Sequence, residues 1–149
     1  MTTLIQNPKA KFNYEILESI DAGIELLGLE VKSLKKKQGS LEGAYIIVRG
    51  NEVYLIGSQV PPYQFNNTSQ DYDPLRIRKL LLTKKEIKNL LNRDKTNGLT
   101  MIPLSIYTKG RYIKIKIAIV KGKKKYDKRE TIKKRENDRN IRRILKQQN

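Results

Sequence analysis

Alternating arginines are the residues with the clearest capacity for chemistry in this chain. Arg76 and Arg78 are followed by Lys79 and come just after Pro61–Pro74, a polar stretch with three prolines and a predicted long loop. A guanidinium presents parallel N–H donors that match two phosphate oxygens. The pattern therefore favours phosphate binding, with a solvated basic face as the alternative.

The commonest catalytic and metal-binding residue types are missing, although carboxylates and lysines could still do chemistry. The chain has no histidine and no cysteine, which removes the commonest general base, thiolate nucleophiles and cysteine-based zinc sites. Its acidic residues are scattered, and neither a G-x-G-x-x-G nor a Walker-type phosphate loop is present. We therefore expect no catalytic residue, no metal and no cofactor.

Net charge is the strongest compositional signal. The 149 residues include 32 Lys or Arg and 15 Asp or Glu, for a formal charge of +17. Basic side chains at this density neutralise backbone phosphates and release counterions, so a polyanion such as RNA is the expected partner. The alternative is a lysine-rich surface that serves only solubility.

The charge is concentrated at the C-terminus. The segment 121–149 has 13 Lys or Arg against 4 Asp or Glu, so its net charge is +9. It holds too few apolar residues to bury a core of its own, and we expect it to be disordered when free. The sequence thus predicts a globular domain over 1–120 and a basic tail over 121–149 that orders on a target.

Most of the predicted elements are strands. The sequence predicts a first hairpin from strands over 12–17 and 24–27 around a turn at Asp21–Gly23, then a short helix over Glu30–Lys35. A second hairpin is predicted from Ala44–Val48 and Val53–Ile56.

The second half predicts one helix and a final strand pair. Thr83 and Glu86 match a capping box, so a helix is predicted from near Thr83 to about Asn92. Two strands follow, Leu99–Tyr107 and Tyr112–Val120, and isoleucines alternate with Lys114 and Lys116 in the second. About six strands without a βαβ rhythm predict a mainly β, antiparallel, OB-fold-like barrel.

Targeting and membrane signals are not evident. Apolar residues come in short clusters interrupted by lysines, and the N-terminus does not resemble a secretory signal. We expect a cytoplasmic protein that neither enters nor crosses a membrane.

Several separated motifs resemble one family. The string from Asp21 to Leu34 is similar to the "AGI-x-L-x-G-x-EVKSL" signature of the small protein B family, which binds SsrA RNA, also called tmRNA. Residues 73–82 resemble its "DP-x-R-x-RKLLL", and residues 122–130 resemble its "GKK-x-x-DKR". The segment Asn7–Ala10 fits its entry motif, with Pro8 in place of a usual basic residue. The resemblance covers nearly the whole chain.

This resemblance implies a factor of trans-translation rather than an enzyme. It implies an OB-like barrel with short flanking helices that binds the tRNA-like domain of tmRNA and brings it to stalled ribosomes. The tail is then expected to enter the empty messenger channel and the small-subunit decoding centre, become helical and mimic codon–anticodon pairing. Elongation factor Tu and alanyl-tmRNA are indirect partners, and we expect a monomer.

The resemblance also implies two sets of site residues. Those expected to bind tmRNA are Asn7, Lys9, Asp21, Gly23, Glu30, Lys32, Arg76, Arg78, Lys79 and Leu81. Those expected at the decoding centre and in the messenger channel are Gly122, Lys123, Lys124, Tyr126, Asp127, Lys128 and Arg129.

Some of these assignments have structural alternatives. Asp21 also fits a simple turn acid, Glu30 and Lys32 fit an exposed pair at a helix start, and Leu81 fits a core position. Thr83 stands where some family members have Asn, and its capping role explains it without RNA. Tyr126 among lysines suits stacking on a base, while its basic neighbours suit phosphates.

Two other functional classes remain open from sequence. A ribosomal or ribosome-assembly protein would share the basic barrel and tail, and it would stay on ribosomes without stalling or tmRNA. A nuclease or RNA-modifying enzyme needs clustered carboxylates or a cofactor loop, which this sequence lacks.

Overall fold

Seven strands form one antiparallel sheet in the computed structural model, which describes residues 1–63, 71–94 and 98–122. The strands are β1 (Thr2–Gln6), β2 (Tyr14–Ile24), β3 (Tyr45–Arg49), β4 (Glu52–Ile56), β5 (Arg78–Leu81), β6 (Leu99–Lys109) and β7 (Tyr112–Gly122). The helices in these residues are α1 (Ala10–Asn13), α2 (Gly28–Lys35) and α3 (Lys84–Asp94).

The sheet has the strand order β1-β6-β7-β2-β5-β4-β3 and curls until β3 packs beside β6. This confirms the predicted mainly β, antiparallel architecture with short helices, and the curl fits an OB-like barrel. The predicted number of strands was wrong: β1 and β5 were not expected, and the two strands predicted over 12–27 are one. The helices do not alternate with parallel strands, so the βαβ class is excluded for the described residues.

The turn predicted at Asp21–Gly23 does not exist. These residues continue β2, where Asp21 lies opposite Lys116 and Gly23 lies opposite Lys114 on β7. Gly23 serves packing and not turning: a Cβ atom there would lie 3.1 Å from the Cβ atom of Leu81 on β5, a tight contact that glycine avoids. A glycine that serves a close strand approach has the same sequence signature as a turn glycine.

The two tight hairpins later in the chain are confirmed. Arg49 pairs with Glu52 across the β3–β4 turn, and Lys109 pairs with Tyr112 across the β6–β7 turn. Each turn begins with a glycine at φ 60°, Gly50 or Gly110. This left-handed conformation suits glycine and lets a two-residue turn follow the twist of the strands.

The core lies inside the curled sheet and is closed by α2 and α3. Along β7, the isoleucines at 115, 117 and 119 point inward and are fully buried, while Lys114 and Lys116 point outward. This confirms the predicted apolar and basic faces of that strand. Leu34 of α2 and Leu90 of α3 are fully buried in the same core.

Both predicted helices are present. Helix α3 begins after Thr83, whose Oγ1 accepts the Glu86 N–H at 3.2 Å, while Glu86 Oε1 accepts the Thr83 N–H at 3.0 Å. This reciprocal pair is the predicted capping box. Helix α3 continues to Asp94, two residues beyond the predicted end. In the described part of the chain, no helix is long and apolar enough to cross a membrane.

Candidate nucleic-acid interface

A buried carboxylate lies where α2 packs against β5 and the residues that lead into it. Glu30, the third residue of α2, is fully buried, and its Oε1 accepts the N–H of Leu27 at 2.8 Å. The same oxygen accepts Arg76 Nη2 at 2.7 Å, while Oε2 accepts Arg78 Nη2 at 2.5 Å and Tyr72 Oη at 3.0 Å. The sequence alternative of an exposed charge pair at the helix start is therefore wrong for Glu30.

The partners of Glu30 determine its ionisation. Burial by itself raises the pKa of the carboxyl, but the hydrogen bonds from Arg76, from the Leu27 N–H and from Arg78 outweigh it and lower the pKa to about 2. Glu30 is therefore an anion at neutral pH, and its charge is compensated by two guanidinium groups.

Arg78 is a buried structural arginine. Its side chain is 1% exposed, and its donors contact Glu30, both oxygens of Ser58, and the carbonyls of Arg76 and Pro74. A guanidinium with five N–H groups has no donor left for a ligand under these conditions. The structure therefore corrects the predicted direct phosphate contact of Arg78: in this arrangement its side chain has no surface from which to bind RNA.

Arg76 is the partly exposed member of the cluster. Its side chain is 33% exposed, and one edge of its guanidinium faces Glu30. The other contacts of its Nη atoms, to the carbonyls of Ile77 and Glu25, are long at 3.4 Å. Hydrogen bonding to Glu30 raises the pKa of Arg76 against the opposing effect of burial, so the side chain stays cationic.

Two lysines border this cluster. The Nζ of Lys32 on α2 lies 5.7 Å from the ring centroid of Tyr63, within reach of a cation–π contact. Lys79 on β5 is partly exposed and approaches Glu52 at 3.4 Å. Both ammonium groups are at the surface and are compatible with the predicted phosphate contacts.

A second group of predicted residues lies on the outer face of the barrel. Asp21 and Gly23 are next-but-one neighbours on β2 and therefore share a face, and Gly23 pairs with Leu81 on β5. Leu81 is 49% exposed, so the alternative core role for this leucine is excluded. The strand register thus places Asp21, Gly23 and Leu81 on one surface.

The same surface carries residues that the site prediction missed. Lys116 lies opposite Asp21, and Lys114 lies between Gly23 on β2 and Tyr107 on β6. The Tyr107 hydroxyl reaches across β7 and donates to Asp21 Oδ1 at 2.6 Å. Burial and this bond raise the pKa of Tyr107 to about 12, so it remains a neutral donor.

The signal for these lysines was present in the sequence. The alternation of Lys114 and Lys116 with isoleucine indicated an outward basic face, but it did not reveal which strand lies next to it. Only the pairing of β7 with β2 places these lysines beside Asp21 and Gly23.

Asn7 and Lys9 contact neither group. Asn7 Nδ2 donates to the carbonyl of Pro103 at 2.9 Å, which ties the chain after β1 to β6. Lys9 is exposed and pairs with Glu42 at 2.6 Å beside α1. Their predicted tmRNA contacts stay predictions.

Of the predicted decoding-centre residues, only Gly122 is described. It is exposed at the end of β7, opposite Tyr14, so the last strand includes two residues assigned to the tail from sequence. The other six, Lys123, Lys124, Tyr126, Asp127, Lys128 and Arg129, lie outside the described residues.

The described carboxylates offer no metal centre. Across residues 1–63, 71–94 and 98–122, no three Asp, Glu, His or Cys side chains come together in a way that could hold an ion. The arrangement instead combines outward cations, hydrogen-bond acceptors and the exposed apolar side chain of Leu81, a combination suited to binding an RNA.

Comparison with known proteins identifies the family. The SmpB protein family model matches residues 4–147. The chain is 50% identical over 133 residues to the SsrA-binding protein of Mesoplasma florum, covering 89% of each chain. It is 48% identical over 147 residues to the SsrA-binding protein of Chlorobium luteolum, covering 98% of this chain and 93% of the relative.

A solved structure gives the same result for the fold. A chain described under "tmRNA-SmpB: a journey to the center of the bacterial ribosome" superposes with a TM-score of 0.69 at 37% identity, covering 86% of this chain and 93% of that one. The family match extends from β1 through the barrel and most of the basic C-terminal segment. The chain therefore belongs to the SmpB family.

Proposed function

We propose that this protein binds SsrA RNA (tmRNA) with the outer face of its barrel and delivers it to stalled ribosomes. One observation carries the proposal: the strand register places five residues on one surface, namely Asp21, Gly23, Leu81, Lys114 and Lys116. The relatives from Mesoplasma florum and Chlorobium luteolum, at 50% and 48% identity, are SsrA-binding proteins, and the similar solved structure concerns tmRNA and SmpB at the ribosome.

Each part of this surface has a distinct role in the proposal. Lys114 and Lys116 bind phosphates, which supplies most of the affinity and makes it dependent on salt. Asp21 accepts hydrogen bonds from base edges or 2′-hydroxyls, groups that distinguish a folded RNA from a uniform polyanion. Gly23 allows Leu81 to lie close to β2, leaving an apolar contact for a base or ribose.

The basic side chains near α2 extend the surface. Arg76, Lys32 and Lys79 are partly or fully exposed and bind further phosphates in this proposal. Asn7 and Lys9 form a more distant contact with tmRNA, a role that rests on the motif resemblance alone. The protein acts as a monomer in this proposal.

The basic tail acts on the ribosome in this proposal. Segment 122–129 enters the messenger channel, where Tyr126 stacks in the small-subunit decoding centre and the neighbouring basic residues hold phosphates. The tail becomes helical there and stands in for codon–anticodon pairing, so that elongation factor Tu and alanyl-tmRNA are accepted. Its support is the net charge and the resemblance of residues 122–130.

The proposed role requires no bond chemistry. The protein positions an RNA and is not an enzyme, and its place of action is the cytoplasm, where the ribosomes are. Incubation with labelled tmRNA fragment, bulk RNA and magnesium is expected to leave every RNA intact; protein-dependent cleavage would reinstate the nuclease alternative.

The primary test is a competition binding assay at near-physiological salt. Full-length protein is mixed with the labelled tRNA-like fragment of tmRNA and increasing bulk tRNA. Binding that survives a large excess of bulk tRNA supports the proposal. Equal displacement by both RNAs would contradict it and favour a general ribosomal RNA-binding protein.

A further inference from the structure

We propose that Glu30 is a positioning residue for RNA binding, which acts through Arg76 and never touches the RNA. Its buried carboxylate fixes Arg76 at the surface and holds together the two ends of the segment between Val60 and Pro74. This inference rests on the proposed function and assigns a specific role within it.

Burial and saturation exclude direct contact by Glu30. The side chain is fully buried, and both carboxylate oxygens accept hydrogen bonds from Leu27, Tyr72, Arg76 and Arg78. An anion in this position would also repel the phosphates of RNA if it were exposed. Its effect on binding must therefore be transmitted by its partners.

The contacts of Glu30 join segments that are far apart in sequence. Tyr72, which donates to Glu30, also donates to the carbonyl of Val60 at 2.8 Å. The N–H of Val60 donates to the carbonyl of Pro74 at 3.0 Å. These bonds bring the start and the end of the segment side by side, directly next to α2.

Helix α2 also holds the start of this segment. The hydroxyl of Ser33 donates to the carbonyl of Pro61 at 2.5 Å. Arg78 adds bonds to Ser58 and to the carbonyl of Pro74. The carboxylate thus lies at the centre of a frame that connects α2, β5 and both ends of the segment.

The charge balance of the cluster leaves a cation at the surface. One carboxylate faces two guanidinium groups, so the cluster carries a net positive charge. Arg78 is 1% exposed and Arg76 is 33% exposed, so the available charge is at Arg76.

The surroundings of Arg76 complete the argument. Leu75 and Ile77, its chain neighbours, are 54% and 56% exposed, and Leu27 next to Glu30 is 43% exposed. An arginine already held on one edge by Glu30 loses little side-chain entropy when it binds a ligand with its other edge. A phosphate oxygen can replace the long 3.4 Å contacts on its other edge.

The test is a double-mutant cycle measured on full-length protein. Glu30→Gln keeps the shape of the side chain but removes its charge, and Arg76→Ala removes the proposed contact. Dissociation constants for the tRNA-like fragment and their salt dependence are measured for all four proteins, well below their unfolding temperatures. Glu18→Gln, which breaks the surface pair of Glu18 with Arg93, is the matched control.

The expected result is strong coupling. Arg76→Ala lowers affinity about tenfold in the unaltered protein, the effect of losing one charged hydrogen bond, and less than about twofold in the Glu30→Gln background. Arg76→Ala also lowers the slope of log affinity against log salt concentration by about one, in the unaltered protein only. In the Glu18→Gln background, the full effect of Arg76→Ala is retained.

If Arg76→Ala lowered RNA affinity equally in the unaltered and Glu30→Gln proteins, the positioning role would be overturned and the proposed function would remain intact. An Arg76→Ala variant with unchanged affinity would have the same meaning. Failure of the unaltered protein to prefer the tRNA-like fragment over bulk tRNA would instead contradict the proposed function itself. The two failures are therefore distinguishable.

A milder variant covers the case in which Glu30→Gln does not fold. Tyr72→Phe removes only the hydroxyl, which donates to Glu30 and Val60 and accepts Arg78 Nη2 at 3.3 Å, and it keeps both ion pairs. The expected result is a folded protein in which the Arg76→Ala penalty falls measurably below its value in the unaltered protein. Full additivity of Tyr72→Phe and Arg76→Ala would overturn the proposal.

Discussion

Burial raises the pKa of Glu30, whereas its ion pairs and hydrogen bonds lower it, and the lowering is the larger effect. A carboxylate removed from water without partners would take up a proton. Here two arginines and a backbone N–H keep it charged, with a pKa of about 2. Removing one partner of such a cluster leaves an uncompensated buried charge, which is a larger cost than the net value of the pair.

The pKa of Glu30 predicts how stability depends on pH. Its folded pKa of about 2 lies below its ordinary value of 4.5, so its contribution is fully present above pH 4.5. That contribution, about 3 kcal/mol, is lost as pH falls from 4.5 towards 2. Urea unfolding at several pH values should show Glu30→Gln less stable by about this amount at pH 7.

The comparison between the two proteins is the diagnostic measurement. The stability difference between unaltered protein and Glu30→Gln should shrink steadily below pH 4.5. A difference that stays constant down to pH 2 would mean that Glu30 is not held as a charged group. Glu18→Gln, at a surface pair, should show little difference at any pH.

At the scale of elements, α3 depends on its N-terminal cap. Thr83 and Glu86 satisfy each other's backbone N–H groups, and Leu90 from the same helix is buried in the core. The capping explanation of Thr83 needs no RNA, and it separates a structural role from a binding role experimentally.

Replacing Thr83 with Ala is therefore expected to reduce stability and leave RNA affinity unchanged. Loss of the cap should lower the free energy of unfolding by about 1 kcal/mol. Denaturant unfolding and binding to the tRNA-like fragment are measured together, with Asn89→Ala on the exposed side of α3 as the control. Weaker RNA binding at unchanged stability would assign Thr83 to the RNA surface.

The outward face of β7 gives a second prediction at this scale. Lys114 and Lys116 lie beside Gly23 and Asp21, so replacing both with Ala removes two proposed phosphate contacts. The slope of log affinity against log salt should fall by up to about two. Lys35→Ala with Lys36→Ala, at the end of α2, is the matched control; an equal change there would show a general charge effect.

At the scale of the whole molecule, barrel and tail are proposed to have separate tasks. The barrel ends with β7 at Gly122, where the last strand pairs with Tyr14. The remaining segment, 123–149, carries 12 Lys or Arg and 4 Asp or Glu. A charge of this size contributes to RNA affinity without adding specificity.

A chain ending at Gly122 should therefore keep its preference for the tRNA-like fragment over bulk tRNA. It should lose the tagging of stalled chains in a reconstituted translation system, because the tail is absent from the messenger channel. A full-length Tyr126→Ala variant controls for chain length and should tag poorly while retaining the net charge. Loss of the RNA preference on truncation would refute the division of tasks.

Local signals were sufficient for much of the fold. The capping residues of α3, the turn glycines Gly50 and Gly110, and the alternation along β7 all depend on neighbours within a few residues. Motif resemblance indicated the family, because motifs are defined by residue order and spacing alone. These features could be predicted from the sequence.

Other features depended on pairing between distant segments. Strand β1 was missed because its five residues show a bulge between Thr3 and Ile5 that breaks the alternation. The turn predicted at Asp21–Gly23 was wrong because Gly23 accommodates Leu81, which lies 58 residues later in the chain. The residues around Gly23 do not indicate that this leucine packs against it.

The sequence by itself determined the charge, the family, the mainly β class and the residue types available for binding RNA. Tertiary structure decided which of those residues are exposed. Glu30 and Arg78 lie 48 positions apart and bury each other, while Lys114 and Lys116 reach the surface beside Asp21. The exposure of a side chain depends on neighbours that can be distant in the sequence. Strand register and long-range ion pairs therefore determine it, and both exist only in the folded protein.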